Sequence, residues 1–404
     1  MVKPLPEDPF IRSLVLQAQR AQLSRRGMLK GAGVGAAALA LAACSTGGTA
    51  SKPKAGKDKS DTDKIVRWDN WALYLYVDSS GKVHPSLDAF VNKTGIKASY
   101  TEAVDDNNTY YGKIKDQLKL GQDIGCDTVC LTDWMVSRLI HFGYTQELDH
   151  ANMPNLKNLD PIYQNVDFDP GRKMSVPWQG GFAGIAWNKD KLPGGLKSVS
   201  DLWDPSLKGR VGVLSEMRDT MGCIMQDLGT KIDGKWGDQE YGAALDVLKK
   251  HVSDGQIRNI KGNSYKQDLQ NGDTLAAIVW SGDITQMNAT AGDHWGFAIP
   301  DKGGTLWNDN FLVPIGSQHK KNAEKLINFY YDPEIAAQVA AYVNYIPPVV
   351  GTKEAMAAID PVLAENQLIF PSAETLSTAY RFRALSNSEE QKYGTEFQAV
   401  ILGA

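Results

Sequence analysis

From residue 64 onward, short apolar runs rich in β-branched residues alternate with segments in which apolar residues recur at helical spacing. The first runs, KIVRW (64–68), IKASY (96–100) and DTVCL (127–131), have the length of buried strands. Between the first two, HPSLDAFVNKTG has the pattern of a helix that ends at Gly95. Later runs of the strand type are GIAWN (184–188), RVGVL (210–214), IRNI (257–260), TLAAIVW (274–280) and HWGFAIP (294–300). This alternation predicts an α/β architecture with mainly parallel sheets and flanking helices.

The segment SVPWQGGFAGIAW (175–187) departs from this simple pattern. It places Gly180 and Gly181 between two apolar runs. Glycine adopts backbone angles that other residues avoid, so the pair allows a hinge or a tight crossing between two lobes. A bend within one strand is an equally good interpretation of the same pattern.

The length and charge of the chain narrow the classes of function. With 404 residues, 42% of them hydrophobic, the chain is long enough for two core-forming domains. Residues 1–43 hold six of the 43 Lys and Arg and two of the 47 Asp and Glu, so residues 44–404 carry a net charge of −8. A body this acidic is a poor binder of nucleic acid and a better host for cations. The six His and four Cys are too few and too scattered for a metal site or a disulfide scaffold.

The first 43 residues have the pattern of an export signal. SRRGMLK (24–30) precedes an uncharged apolar stretch that is too short to span a bilayer as a helix. The adjacent Arg25 and Arg26 indicate the twin-arginine export route. The stretch ends in Leu-Ala-Ala-Cys, like the lipobox of bacterial lipoproteins, which predicts a mature chain anchored on the outer face of the cytoplasmic membrane through an acylated Cys44. The alternative is an ordinary cleaved signal with an incidental cysteine.

Residues 44–63 contain no large apolar side chain and are rich in Gly, Ser, Lys and Asp. Such a segment cannot form a core, so we expect a flexible tether and a folded part that begins near Lys64. The cysteines after this tether are Cys126, Cys130 and Cys223. Their odd number argues against a complete disulfide framework, and we expect buried free thiols, with a Cys126–Cys130 bridge as the alternative.

Aromatic and carboxylate side chains cluster just after the predicted strands, which is where ligands bind in open α/β sheets. Glu216 and Asp219 share one face of a predicted first helical turn, whose partial positive charge favours ionised carboxylates. Aromatic rings contact methylene chains and attract cations, and carboxylates pair with ammonium groups. The set therefore suits an elongated organic cation. Its members are Trp71, Tyr74, Thr132, Trp134, Glu216, Asp219, Trp280, Asp283, Trp307, Asp309 and Tyr345.

Two other functions use some of the same residue types. Paired carboxylates also serve glycoside hydrolases, so an extracellular hydrolase is the enzyme alternative. Ferric-ion binding is a further alternative, because the chain has the adjacent tyrosines Tyr110-Tyr111 and Tyr330-Tyr331. The second pair lies in a helical pattern that favours core packing. The chain has no G-x-S-x-G, H-E-x-x-H, P-loop or G-x-G-x-x-G motif.

Six strings in the chain occur in the order found in one family: NWALY (70–74), HPSLDAFVNKTGIKASYTE, SVSDLWDPSLKGRVGVLSEMRDTMG, IVWSGD, GGTLWNDNFLVP and NYIPPV. From about Lys64 to its end, the chain resembles the spermidine/putrescine-binding proteins of bacterial ABC transporters. The resemblance implies the type II periplasmic-binding-protein fold, in which two lobes close on a polyamine and deliver it to a membrane permease. It implies no enzymatic activity, no cofactor and a monomer. The implied lobes are 64–179 with 307–353 and 180–306 with 354–404.

The resemblance also assigns the ligand site. The family's contact residues match this sequence at every position of the set above except Asp283, which is an additional acid. Ala72 stands where the family has a threonine hydroxyl, and no glutamine matches a family contact near Tyr380. Recognition by charge survives these departures, whereas the preference between putrescine and spermidine is left open.

Overall fold

The structure of the protein is a computed structural model, and it describes residues 52–78 and 80–403. The predicted signal segment 1–43 and the predicted lipidation site Cys44 lie outside the described residues. Within the two described ranges, no helix combines the length and the apolar character needed to cross a membrane.

Strands and helices alternate along the described chain, as the hydrophobic pattern predicts. The strands are β1 (Ile65–Trp71), β2 (Lys97–Val104), β3 (Thr128–Thr132), β4 (Asn165–Val166), β5 (Asp169–Pro170), β6 (Ser175–Asn188), β7 (Val211–Leu214), β8 (Ile257–Lys261), β9 (Ala276–Trp280), β10 (Trp295–Ala298), β11 (Gly304–Leu312) and β12 (Ala379–Tyr380). The helices are α1 (Pro85–Thr94), α2 (Asn107–Lys119), α3 (Asp133–Phe142), α4 (Met217–Asp227), α5 (Asp238–Ser253), α6 (Tyr265–Gln270), α7 (Ser281–Ala291), α8 (Lys320–Tyr330), α9 (Pro333–Val343), α10 (Thr352–Ile359), α11 (Pro361–Ala364), α12 (Ala373–Leu376) and α13 (Asn387–Ile401). Short 3₁₀ helices lie at His150–Asn152, Pro154–Asn158, Pro161–Tyr163, Val199–Trp203 and Pro205–Leu207.

Ten of these strands form one sheet in which two parallel regions flank an antiparallel centre. On one side β2, β1 and β3 are parallel neighbours, and on the other side β9, β7 and β8 are parallel neighbours. The long strands β11 and β6 pair antiparallel with each other and join the two regions. The predicted α/β architecture is confirmed, and the antiparallel pairing in this sheet lies in its central strands and in β10.

Local signals explain where several elements begin and end. The helix α1 begins at Pro85, whose fixed backbone angle suits a first helical position, and it ends at Gly95, as predicted. Gly95 has a φ of 69°, in the left-handed region that glycine adopts without steric cost. The strand β3 is buried along almost its whole length, which explains its nearly continuous apolar sequence.

The segment with the glycine pair is one continuous strand, β6. The predicted lobe boundaries at 179/180 and 306/307 fall inside β6 and β11, where Gly180 pairs with Asn308. Their register shifts next to this point, between Asp309 and Asn310. The division into lobes stays a prediction, and two of the three crossings that it requires lie side by side in the antiparallel centre.

An aromatic cluster packs the centre of the sheet against a helix. The ring centroids of Trp68 of β1 and Trp178 of β6 lie 5.2 Å apart, and each lies 5.0 to 5.3 Å from those of Phe311 of β11 and Tyr330 of α8. Their large apolar areas are removed from water together, which stabilises the strands on which the site is built. Tyr330 therefore belongs to the core.

Residues 52–63 differ from the predicted flexible tether, because they lie along the folded body. Gly56 N donates to Ile315 O at 2.8 Å. The hydroxyl of the buried Ser60 accepts a hydrogen bond from Asn322 N at 3.1 Å. The segment supplies no hydrophobic core, as its composition predicts, but polar contacts that a hydrophobic pattern does not reveal hold it in place. The folded part therefore begins before the predicted boundary.

The cysteines of the described chain, Cys126, Cys130 and Cys223, are buried and free. Free thiols are the expected state, and the alternative bridge between Cys126 and Cys130 is wrong. Burial raises the pKa of the Cys126 thiol well above its usual value, which keeps it protonated and unreactive.

Candidate ligand-binding site

A cavity lies where β1, β3 and β9 end, and the empty space in it, part of which is open to solvent, is about 400 Å³. Trp71 and Thr132 end the parallel strands β1 and β3, and Trp280 ends β9, which runs in the opposite direction. The ends of β3 and β9 approach each other across β11 and β6, because Thr132 pairs with Asp309, Asp309 with Gln179, and Trp280 with Ala183. The cavity contains ten of the eleven predicted residues, and Trp134 is the exception. The lining residues are Trp71, Ala72, Tyr74, Thr132, Glu216, Asp219, Asn263, Trp280, Asp283, Trp307, Asp309 and Tyr345. Four of these side chains are carboxyl groups, and none is Lys or Arg.

Glu216, which directly precedes α4, carries the least satisfied carboxyl group of the cavity. Its Oε2 accepts a hydrogen bond from Asn107 Nδ2 at 2.9 Å, whereas Oε1 has no partner in the part of the chain that the structure describes. Burial, followed by the charges of Asp106 and Asp219, raises the pKa of Glu216 to about 8. Burial therefore opposes the ionised state that the helix end was expected to favour. The partial charge of a helix terminus does not replace the hydration that burial removes.

Asp219 lies in the first turn of α4 and is held between two donors. Its Oδ1 accepts a hydrogen bond from Thr305 Oγ1 at 2.5 Å, and its Oδ2 accepts one from Trp280 Nε1 at 2.8 Å. Burial raises the pKa of Asp219 against the effect of these hydrogen bonds. The bond from the indole fixes Trp280 at the cavity wall next to a carboxyl group.

Asp309 is linked to Glu216 by a chain of hydrogen bonds. Thr132 Oγ1 donates to Asp309 Oδ1 at 2.7 Å and accepts from Asn107 Nδ2 at 2.9 Å. The same Asn107 amide donates to Glu216. Burial raises the pKa of Asp309 to about 7. Because β11 is extended, Trp307 lies on the same face of the strand as Asp309, as the spacing predicts.

Aromatic rings form the walls of the cavity in edge-to-face contacts. The Trp280 ring centroid lies 6.0 Å from that of Trp71 and 6.4 Å from that of Trp307. The Tyr345 ring centroid lies 5.1 Å from that of Trp307 and 5.5 Å from that of Tyr74. The interplanar angles range from 68° to 86°. The face of an aromatic ring carries partial negative charge, so these walls attract cations as well as apolar chains.

Two glycines allow the rings to approach the backbone. A Cβ atom on Gly181 would lie 2.7 Å from Trp307 Cζ2 and 2.8 Å from Tyr345 Cδ1. A Cβ atom on Gly282 would lie 2.7 Å from Tyr345 Cε1. No Cβ fits at such distances, so any other residue at Gly181 or Gly282 would displace a wall of the cavity.

Asp283 differs from the other carboxyl groups because the protein itself supplies its partners. Its Oδ2 accepts a hydrogen bond from Tyr265 OH at 2.9 Å, and its Oδ1 accepts one from Tyr345 OH at 3.1 Å. Lys266 Nζ lies 3.2 Å from the same Oδ1, and this ion pair is buried, with side chains 11% and 8% exposed. Lys266 reaches Asp283 from α6 and is not itself a lining residue.

Trp134 lies on α3, where arginines cover its ring. The guanidinium carbons of Arg138 and Arg218 lie 4.8 and 4.4 Å from the ring centroid. Both arginines are paired with Glu390 of α13, at 2.7 Å for Arg138 and 2.5 Å for Arg218. We call Trp134, Arg138, Arg218 and Glu390 the arginine cluster. The predicted aromatic after β3 is thus engaged by cations of the protein.

Three residues at or next to the cavity are absent from the sequence-based set. Asn107 bridges Thr132 and Glu216, and Lys266 pairs with Asp283. Asn263 lines the cavity and donates from Nδ2 to Ala72 O at 3.1 Å. Its position just after β8 was a usable signal, because it is the strand-end position from which the other candidates were chosen. Asn107 and Lys266 do not follow a strand end directly, and no sequence pattern identifies them as site residues.

The adjacent tyrosines proposed for ferric-ion binding have other roles. Tyr110 OH donates to Asp69 at 2.8 Å, and Tyr331 OH donates to Pro177 O at 2.6 Å. Tyr330 and Tyr331 are both buried. In residues 52–78 and 80–403, no group of three or more His, Cys, Asp and Glu side chains is arranged to hold a metal ion.

The sequence pattern of the family described as bacterial extracellular solute-binding protein matches residues 86–366. The chain belongs to this family. The spermidine/putrescine-binding periplasmic protein of Escherichia coli strain K12 is 29% identical to this solute-binding protein over 310 residues, which cover 76% of this chain and 85% of the relative. The putrescine-binding periplasmic protein of the same strain is 27% identical over 332 residues, covering 78% of this chain and 85% of the relative.

A solved structure from Listeria monocytogenes, described as a putative spermidine/putrescine ABC transporter, is similar to this solute-binding protein. It has a TM-score of 0.73 and 26% sequence identity, and the match covers 85% of this chain and all of the other. The predicted type II periplasmic-binding-protein fold is thereby confirmed, as is the sequence resemblance on which it was based.

Proposed function

We propose that this solute-binding protein captures polyamines outside the cytoplasm and delivers them to the permease of an ABC transporter. The observation that carries the proposal is the charge of the cavity. Four carboxyl groups face it, no lining side chain is cationic, and only Asp283 has an ammonium partner within the described chain. The relatives named above for spermidine and putrescine support the same ligand class.

The burial of these carboxyl groups explains why a cation is required. Glu216 and Asp309 are 6% and 4% exposed, and a buried carboxylate is tolerated only when a positive charge replaces its hydration. A polyamine supplies ammonium groups at intervals along a methylene chain. The ammonium groups pair with the carboxylates while the methylene groups contact the faces of Trp280 and Trp307.

Capture is proposed to occur by hinge closure between the two implied lobes. Asn107 belongs to the first implied lobe and Glu216 to the second, and they share a hydrogen bond at the cavity. The arginine cluster makes a similar connection, because Glu390 of the second implied lobe pairs with Arg138 of the first. Contacts of this kind would be lost on opening and regained on closing, with Gly180 and its neighbours in β6 as the hinge.

Export and anchoring are part of the proposal and rest on the sequence. The pair Arg25-Arg26 would direct the precursor to the twin-arginine route, and Cys44 would carry the lipid that holds the monomeric receptor beside its permease. Replacement of both arginines by Lys should leave the precursor inside the cell. The Cys44→Ser variant should yield protein without lipid. Wild-type protein found only in the medium and without lipid would contradict the anchoring.

The ligand class is tested by isothermal titration calorimetry on the purified protein. We expect heats of binding for putrescine or spermidine and none for oligosaccharides. Release of reducing sugar that disappears in Glu216→Gln would instead favour the glycoside hydrolase alternative. A tyrosinate-to-iron absorption band on addition of ferric ion would favour the metal-binding alternative.

A further inference from the structure

Lys266 is the feature of the site that polyamine binding by itself does not require. A receptor for cations gains nothing from an ammonium group of its own beside the cavity, because that group competes with the ligand for a carboxylate. Yet Lys266 Nζ lies 3.2 Å from Asp283 Oδ1, and both side chains are buried. Removing a lysine ammonium from water is costly unless it gains a charged partner, so this arrangement is stable only as a pair.

The surroundings of Asp283 show that the pair is complete. Both of its carboxylate oxygens already accept hydrogen bonds from tyrosine hydroxyls, Tyr265 to Oδ2 and Tyr345 to Oδ1. Tyr265 OH also accepts a hydrogen bond from Trp280 N at 3.2 Å, which holds the hydroxyl in place. Asp283 thus has two hydroxyl donors and one cation, all supplied by the protein.

Glu216 shows the opposite condition in the same cavity. Its single described donor is an uncharged amide, and Oε1 has no partner in the described chain. Asp219 and Asp309 likewise accept only from uncharged groups: Thr305 and Trp280 for the first, and Thr132 for the second. Within the part of the chain that the structure describes, three of the carboxyl groups therefore have no ion-pair partner, and Asp283 has one.

We infer that Lys266 determines specificity by occupying Asp283 from the protein side, so that three carboxylates, not four, remain for the ammonium groups of the ligand. The inference rests on the proposed function, since it concerns how many ammonium groups that site accepts. The inference predicts that Asp283 does not contact the ligand as long as Lys266 is present. Removal of Lys266 would convert Asp283 into a fourth subsite.

The test compares putrescine, spermidine and spermine, which differ in the number of their amines. Calorimetry gives the dissociation constant of each for the wild type and for Lys266→Met, which keeps an unbranched side chain one atom shorter and removes its charge. Spermine has a fourth amine that spermidine lacks. In Lys266→Met we therefore expect the ratio of spermine affinity to spermidine affinity to be about tenfold or more higher than in the wild type. The matched control is Lys261→Met, because Lys261 pairs with Asp268 at 2.6 Å and neither residue lines the cavity.

The double variant Lys266→Met/Asp283→Asn should return the ratios of affinities to those of the wild type, because it removes both charges. Ratios unchanged within twofold in Lys266→Met, or a shift that persists in the double variant, would overturn the inference. Absence of any polyamine binding by the wild type would instead overturn the proposed function.

A measurement on the wild type does not depend on the folding of any variant. The NMR signal of the Lys266 ammonium group should be protected from exchange before and after saturation with spermidine. Loss of that protection on binding would mean that the ligand displaces Lys266, which would contradict the inference. The Lys266→Gln variant keeps a polar donor to Asp283 and should shift the affinity ratios in the same direction as Lys266→Met.

Discussion

The cavity and the arginine cluster both combine tryptophan rings with carboxyl groups, but they differ in whether the protein itself supplies the cations. In the arginine cluster, the Trp134 ring is covered by two guanidinium groups, and Glu390 is paired with both of them. In the cavity, Trp280 and Trp307 line a space with four carboxyl groups and no cationic lining residue. The first arrangement is complete within the protein, whereas the second needs a positive charge from outside.

This difference teaches how a structural cluster can be distinguished from a binding site. An aromatic ring beside a carboxylate attracts a cation in either case. The deciding observation is whether the chain already supplies that cation. Asp283 belongs to the cavity by position but resembles the arginine cluster by chemistry, because Lys266 lies 3.2 Å away.

The strongest test of the comparison is to remove one carboxylate charge from the cavity. Asp309→Asn is nearly isosteric and would leave a ligand ammonium facing an uncharged amide. Breaking a buried pair costs about 3–5 kcal/mol, so polyamine affinity should fall on the order of a hundredfold to several thousandfold. Calorimetry at low and high salt measures the change.

The matched control is Asp149→Asn, because Asp149 is exposed and its Oδ1 accepts from Ala151 N at 3.0 Å, outside the cavity. It should bind like the wild type. Affinity of Asp309→Asn within a few-fold of the wild type would show that Asp309 is not a buried ligand contact. A deficit that vanishes at high salt would indicate surface attraction, since exposed charges are screened beyond about 8 Å at physiological ionic strength.

The second test uses pH, because the cavity holds buried carboxyl groups with strongly raised pKa values. Burial raises the pKa of Glu216 to about 8 and that of Asp309 to about 7. Polyamine binding requires both groups to be ionised, so it should release protons, and affinity should rise with pH between about pH 6 and pH 8. Each group that must release a proton contributes up to about tenfold per pH unit. Calorimetry in buffers of different ionisation enthalpy counts the protons.

The same groups set the sign of the pH dependence of stability. Their pKa values are near 4 in the unfolded chain, so between about pH 4 and pH 8 the folded protein binds more protons than the unfolded one. The free energy of unfolding attributable to these groups therefore falls as pH rises through this range. A bound polyamine offsets that fall, so the increase in melting temperature that it causes should grow with pH. An increase that is the same at pH 6 and pH 8 would contradict the proposed role of these carboxyl groups.

The smallest expected effect compares a tryptophan of the cavity with one of the arginine cluster. Replacement of Trp280 or Trp307 by Leu keeps apolar area but removes the ring face, and it should lower polyamine affinity by about 0.5–2 kcal/mol each. Trp134→Leu changes a ring that lies outside the cavity and is covered by arginine side chains, so polyamine affinity should change less than in either of those variants. Equal losses at all three positions would mean that the two regions do not differ as described. We expect polyamine binding to change tryptophan fluorescence in the wild type and equally in Trp134→Leu.

The secondary structure and much of the cavity follow from the sequence, for reasons that are local. The period of the apolar residues distinguishes strand from helix, and ligands of open α/β sheets bind beyond the carboxyl ends of strands. Trp71, Thr132 and Trp280 could therefore be assigned to a common site before their distances were known. Tyr345 does not end a strand, and it was assigned to the ligand site because the sequence segments around it resemble those of polyamine-binding proteins.

Only the tertiary structure decided which charges are satisfied. Whether Trp134 faces a ligand depends on Arg218 and Glu390, and whether Asp283 is available depends on Lys266. These partners come from other elements, and their distances depend on how helices pack on the sheet, which no local pattern encodes. The pKa values of the cavity carboxyls depend in the same way on burial, which outweighs the helix end that the sequence indicates. The sequence thus determines where acids and aromatic rings gather, and the packing determines which of them still require a cation.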